Sequence, residues 1–171
     1  MAGAFIRARN FAVNKDTVIN LIIAKLTEEL ELYRRAARSA HSEATDPHSK
    51  AENKYDTRGL EASYLARGQA KQVAELEQSL HEFRALVGRH FIPTAPIDVG
   101  ALVELLAGKD RSFYLIGPRA GGTEVEHDSH EITVMTPQSP LGGQLMGHKA
   151  GERLKLEFGG AKREFKVVSV S

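Results

Sequence analysis

The sequence is 171 residues long, 42% hydrophobic and 26% charged, with 23 basic residues against 22 acidic ones and a net charge of +1. Such a chain can bury one ordinary core, or a small core with an extended element attached; its composition excludes wholesale disorder and its charge excludes general attraction to nucleic acid. It contains no cysteine, which removes disulfides and thiolate metal sites from consideration. No run approaches the roughly 18 apolar residues of a membrane span, and the start, interrupted by Arg7 and Arg9, does not read as a secretory leader. A cytoplasmic protein without a membrane partner is expected.

Residues 1–15 mix Phe5, Ile6, Phe11 and Val13 with basic residues at no clear period, and Asp16 is the expected N-cap of the first helix. From there Ile19, Ile23, Leu26, Leu30, Tyr33, Ala37 and Ala40 alternate steps of four and three, the repeat of a coiled-coil seam. The same repeat runs through Tyr55, Gly59, Ala62, Ala66, Gln69, Val73, Leu76, Leu80, Phe83 and Val87. A short connection between them predicts an antiparallel helical hairpin over residues 1–92, with its tip at about 41–50. The seam is built of Ile, Leu and Phe far from the tip and of Ala and Gly near it, so the hairpin should taper. At about 1.5 Å per residue the first helix should span about 35 to 40 Å. A two-helix oligomerisation element is the plainer reading, but Gly59, Gly68 and Gln69 weaken the seam where dimerisation would keep it strong.

Gly88 is the expected helix terminator, and Phe91 to Ile97, with two prolines, is expected to be an extended linker. Short β-like runs then occupy 101–106, 112–116, 124–125, 132–135, 153–158 and 164–170, separated by glycine and proline turns. Ser139 as N-cap with Pro140 at the first helical position starts one short helix. Residues 93–171 therefore read as an α+β domain, one short helix crossing a curled antiparallel sheet.

The stretch 41–56 has almost no large apolar side chain and carries Glu43, Asp46, Glu52 and Asp56. Capping explains part of this: Asp46-Pro47 suits a helix start, and Ser49 with Glu52 fits a capping box. Alternatively, Glu43 and Asp46 offer oxygen ligands to a Mg²⁺ ion held mainly by a partner, since Mg²⁺ is commonly bound by only one or two protein carboxylates. His127 and His130 lack a third histidine at a sensible spacing for zinc. The glycine pairs form neither a phosphate-binding loop nor a dinucleotide fingerprint.

The run from Thr136 to Leu154 resembles the second domain of the bacterial transcript-cleavage factors GreA and GreB. Ser139, Pro140, Leu141, Gly142, Leu145, Gly147, Gly151 and Glu152 match that family's pattern, with His148 and Lys149 at its lysine position, and Glu164 to Val170 is similar to its last strand. The resemblance implies an FKBP-like C-terminal domain preceded by an antiparallel coiled coil. It implies RNA polymerase as the partner, bound through the segment of Ser139, Pro140, Leu141, Gly142, Leu145 and Gly147, with the coiled coil in the secondary channel. There Asp46, Glu43 or Glu52 would act on RNA cleavage through Mg²⁺ shared with the polymerase active site; the chain would hold no cofactor of its own. Glu52, Asn53 and Tyr55 match the family's tip loosely, although Asp46 and Glu52 stand three residues further apart than in its pattern. The alternatives are a non-cleaving channel regulator of the DksA type and a peptidyl-prolyl isomerase. A monomer without sequence-specific nucleic-acid binding is expected.

Overall fold

The computed structural model describes residues 13–45 and 58–171. Two helices come first, α1 over Lys15–Thr45 and α2 over Arg58–Arg84. The cap of α1 is Asn14 rather than Asp16: Asn14 Oδ1 accepts from the Thr17 amide at 2.9 Å and from its hydroxyl at 3.1 Å. Asn14 stands three residues before Thr17, the spacing at which a cap side chain meets an orphan amide. Asp16 instead reaches the far end of α2, where its carboxylate accepts from the Gly88 amide at 3.1 Å. No glycine or proline interrupts 15–45, so the helix continues through residues 41–45, which were expected in the turn. At 31 residues α1 spans about 46 Å, longer than expected.

The two helices pack antiparallel, and Arg34 ties them by meeting Glu77 across the seam and Glu31 on its own helix, each at 2.8 Å. The expected seam positions Ile19, Leu26, Leu30, Leu76, Leu80 and Phe83 are all buried. Val18 and Ile22, which lie off the seam, are buried just as deeply. The cause is a second neighbour: this end of the hairpin also packs on the sheet, against Leu102, Phe113, Leu115, Ile132 and Val134. At the end of α2 the expected Val87 is exposed and Leu86 is buried in its place, because the helix ends at Arg84 and a turn follows.

The six strands are β1 Leu102–Ala107, β2 Asp110–Ile116, β3 Glu124–His127, β4 His130–Met135, β5 Arg153–Phe158 and β6 Ala161–Val170, with the short helix α3, Pro140–Leu145, between β4 and β5. The class is α+β, two helices followed by one sheet of order β3-β4-β2-β1-β6-β5. The sheet is mixed rather than wholly antiparallel, since β2 pairs with β4 in parallel. After β2 the chain skips one position to lay down β3, then returns through a two-residue turn and places β4 in the gap. Alternation along a strand marks which residues face a core, but not which strand lies beside it.

One sheet face carries the hairpin; α3 and the 95–101 segment cover part of the other, over Val103, Leu105, Tyr114, Ile116, Phe165 and Val167. The segment expected as a linker is docked there. Ile97 is buried, its amide donates to the His148 carbonyl at 2.7 Å and its carbonyl accepts from the Gly147 amide at 2.9 Å. Arg89 pairs with Asp98 at 3.0 Å, and Lys15 donates to the Arg89 carbonyl while its ammonium lies 4.7 Å from the Phe91 ring centre. Burial lowers the Lys15 pKa, with Asp16 opposing the shift.

Phe83 is one point of close contact between the hairpin and the sheet domain. A Cβ on Gly117 would lie 2.9 Å from the Phe83 ring and 2.7 Å from Val134, so a bare backbone is required there. Replacing Phe83 with Ala should cost about 3–5 kcal/mol in urea unfolding, whereas Val73→Ala, at a half-buried seam position, should cost less than about 1.5 kcal/mol.

Candidate functional site

The sequence points to two places, the far end of the hairpin and the Ser139–Glu152 segment. They differ in how they are built. Beyond Leu30 on α1 and before Leu76 on α2, no described side chain is buried. Leu60, Tyr64 and Leu65 are more than half exposed, and the nearby charges include Arg34, Arg35, Arg38, Arg67 and Lys71. In this half the seam is thin: Gln69 occupies a seam position, and its Oε1 is buried without a hydrogen-bond partner among the described residues. The outer hairpin is thus a slender pair of helices with no core of its own, held by its root.

Asp46 and Glu52 lie outside the described residues. Glu43 belongs to the last turn of α1, but its side chain is likewise outside the description. Among the described residues no group of three or more His, Asp or Glu side chains is placed to hold a metal ion.

The Ser139–Glu152 segment is defined throughout. Ser139 caps α3 as expected: its Oγ accepts from the Gly142 amide at 3.1 Å and donates to the Thr136 carbonyl at 2.8 Å. Pro140 is exposed at the first helical position, where the missing amide costs nothing. Leu141 and Leu145 are buried in the core under the sheet. Gly142 is forced by packing, since a Cβ there would lie 2.1 Å from the Thr136 carbonyl oxygen. Gly147 has φ of 81° and presents its amide to Ile97. Leu141, Gly142 and Leu145 therefore shape this segment from within, and Pro140, Gly143, Gly147 and Lys149 form its outer surface.

A hydrogen-bonded pair that the sequence did not point to completes the segment. His148 Nδ1 lies 2.7 Å from Glu152 Oε2, and the Lys149 amide donates to Glu152 Oε1 at 3.2 Å. The hydrogen bond from His148 is the main reason that the Glu152 carboxyl is held below the usual carboxylate range. The four-residue spacing of His148 and Glu152 was the available signal. A second tie joins the 117–123 loop to α2, where Arg119 pairs with Glu82 at 2.9 Å. Hydrogen bonds from Gln78 and then Arg119 keep the Glu82 carboxyl below its ordinary range.

Among the described residues, the aromatics considered for an isomerase pocket are divided between the two sheet faces. Phe113 belongs to the cluster under the hairpin, whereas Tyr114 and Phe165 belong to the cluster on the opposite sheet face.

A two-helix arm is thus rooted on one face of a mixed sheet, with a capped Ser-Pro-Leu-Gly helix against the other. Residues 93–171 match the family described as transcription elongation factor GreA/GreB, C-terminal domain, so the C-terminal part of the chain is a domain of that family. The chain is similar to the transcription inhibitor protein Gfh1 of one Thermus thermophilus strain, with 26% identity over 153 residues that cover 85% of this chain and 90% of that one. The Gfh1 of a second strain of the same species is 25% identical over the same shares. Among solved structures, GreA factor homolog 1 of Thermus thermophilus aligns with a TM-score of 0.38 at 22% identity, covering 87% of this chain and 94% of that one. Gfh1 of Thermus aquaticus aligns with a TM-score of 0.38 at 24% identity, covering 86% and 92%. Among the described residues no helix is long and apolar enough to cross a membrane.

Gly142→Ala should destabilise the protein by about 1–3 kcal/mol through forced displacement of the Thr136 carbonyl, and Ser139→Ala by about 1 kcal/mol through loss of the cap; thermal unfolding measures both. Because the Glu152 pKa is lowered in the folded state, its contribution is present above the ordinary glutamate value and is lost as pH falls through the folded value. A ¹³C titration of its carboxyl should show a depressed midpoint that rises towards the ordinary value in His148→Ala.

Proposed function

We propose that the chain is an RNA polymerase-binding transcription factor that anchors through its C-terminal domain, inserts the helical hairpin into the secondary channel and regulates transcription from there. The observation that carries this reading is the outer hairpin: two helices with no buried side chain among those described, projecting from a root that is fully packed. A structure that only had to dimerise or stabilise itself would keep a strong seam to its end. A structure that enters a narrow cavity needs slenderness, which small seam residues such as Ala37 and Ala66 supply.

The chain acts on this reading as an accessory factor, monomeric and cytoplasmic, with polymerase as its partner. Similarity to transcription inhibitor proteins extends over 85% of the chain, hairpin as well as domain. That supports regulation by occupancy of the channel rather than by RNA cleavage.

A second reading is supported by the acidic residues that the sequence collects in 41–56, between the two helical repeats. Asp46, Glu43 and Glu52 would then supply oxygen ligands to Mg²⁺ at the polymerase active site, where a second metal stabilises charge on phosphate oxygens during hydrolysis. The wide separation of Asp46 from Glu52 in sequence weighs against it.

Backtracked elongation complexes, incubated with the protein and followed by RNA gel, separate the two readings. Channel occupancy predicts association with core polymerase and slowed RNA synthesis without shortened transcripts, and Asp46→Ala should change the degree of inhibition. Shortened RNA that disappears in Asp46→Ala or Glu52→Ala would establish cleavage instead. Absence of binding to core polymerase would overturn both.

A further inference from the structure

The two edges of the sheet are treated differently by the fold. At the β3 edge, four residues long, α1 lies alongside and Lys25 Nζ donates to the outward Glu124 carbonyl at 2.8 Å. The β5 edge is longer, pairs with β6 in unbroken register and contains neither proline nor bulge. Phe158 and Ala161 close a two-residue turn in which Gly159 and Gly160 have φ of 60° and 77°. From that turn the ladder alternates, so Leu154 and Leu156 direct their backbone groups to β6, whereas Arg153, Lys155 and Glu157 direct theirs outward.

The outward groups of Glu157 are already satisfied in a telling way. Gln144, on α3, accepts from the Glu157 amide at 2.9 Å and donates to its carbonyl at 3.3 Å. A side-chain amide here makes the same pair of bonds that a neighbouring strand would make. Among the described residues, the outward amides of Arg153 and Lys155 have no such partner, and both residues are exposed. The edge is thus closed at one end and open over the adjoining two pairs.

We infer that the open part of β5 is a docking edge that takes an extended acidic segment of the partner protein as an added strand, through the backbone groups of Arg153 and Lys155. The charge of the hairpin that carries the edge selects the occupant. Between residues 153 and 170 there are Arg153, Lys155, Lys162, Arg163 and Lys166 against Glu157 and Glu164. Arg153, Lys155, Lys162 and Lys166 share the sheet face that carries the hairpin with Glu157 and Glu164, since Arg153 pairs with Lys166, Lys155 with Glu164 and Glu157 with Lys162 in register; Glu164 lies 3.4 Å from Arg153, and the face keeps an excess of basic groups. A second copy of this chain is disfavoured: with the Glu157 groups taken by Gln144, an antiparallel pairing through the open part would set Arg153 of each copy opposite Lys155 of the other. Strand addition draws affinity from the main chain and specificity from the side chains that flank it.

The inference rests on polymerase being the partner, as proposed above, and names the edge through which the C-terminal domain meets it. Lys155→Pro is the discriminating variant, because its amide points away from the ladder and proline is tolerated at such edge positions. With full-length protein and core polymerase, Lys155→Pro should weaken binding about tenfold, the effect of losing one or two backbone hydrogen bonds and their geometry. Lys155→Ala keeps the amide and should lose less than about threefold. Hydrogen exchange on the wild-type complex gives an independent reading: the Arg153 and Lys155 amides should slow on binding. Unchanged exchange at both amides, or wild-type affinity in a folded Lys155→Pro, overturns the docking edge while leaving polymerase binding intact. Self-association that is lost in Lys155→Pro would give the edge to a second copy and overturn the proposal. No binding by the wild type overturns it together with the reading on which it rests.

Discussion

The architecture depends on the contact between Phe83 and the sheet. Its ring meets Gly117 so closely that no side chain fits there, and Val134 closes the same space from β4. Around this point Val18, Ile22 and Leu86, which lie off the hairpin's own seam, join the cluster shared with the sheet. Polar ties reinforce it from two directions, the Asp16 carboxylate on the Gly88 amide and Arg119 on Glu82. Burial at the root supplies the stability; these two polar ties, one a hydrogen bond and one an ion pair of the exposed kind that is worth little, orient one part against the other.

Concentrating the packing at one end leaves the other end free of structural duty. The outer hairpin needs neither large apolar residues nor a wide seam, so its exposed surface can be given to Arg35, Arg38, Tyr64, Arg67 and Lys71. The C-terminal domain shows the complementary arrangement. Its family signature is largely a set of packing rules: a cap at Ser139, a bare backbone at Gly142, and two leucines in the core. Conformation of the surface follows from those rules, and the surface itself is made by other residues. A chain can thus keep the Gre signature while its contacts with a partner differ.

Much of this was legible in the sequence. The strands appear within a few residues of the expected spans, because alternation and glycine turns are local signals, and α3 begins at Ser139 and Pro140 as their capping chemistry requires. The heptad positions nearest the root are buried as a seam should be. Tertiary neighbours set the features that local patterns do not carry. No helical period reveals that a sheet covers Val18 and Ile22, that Ile97 pairs with residues 147 and 148 instead of lying in a free linker, or that β4 returns parallel to β2. The cap shows the same limit at short range: both Asn14 and Asp16 are competent, and the second was drawn away by a group 72 residues later. The tip carboxylates Asp46 and Glu52 lie outside the described residues, so only their spacing in the sequence bears on their role.

A hairpin fixed to the sheet at its root should behave as a single rigid arm. The absence of cysteine allows unique spin labels at Arg38→Cys, on the outer half of α1, and at Lys162→Cys, on β6. Pulsed electron–electron dipolar spectroscopy on the free protein should give one narrow distance distribution, which broadens when Phe83→Ala removes the root contact. A broad or two-peaked distribution in the protein with Phe83 intact would contradict a fixed arm.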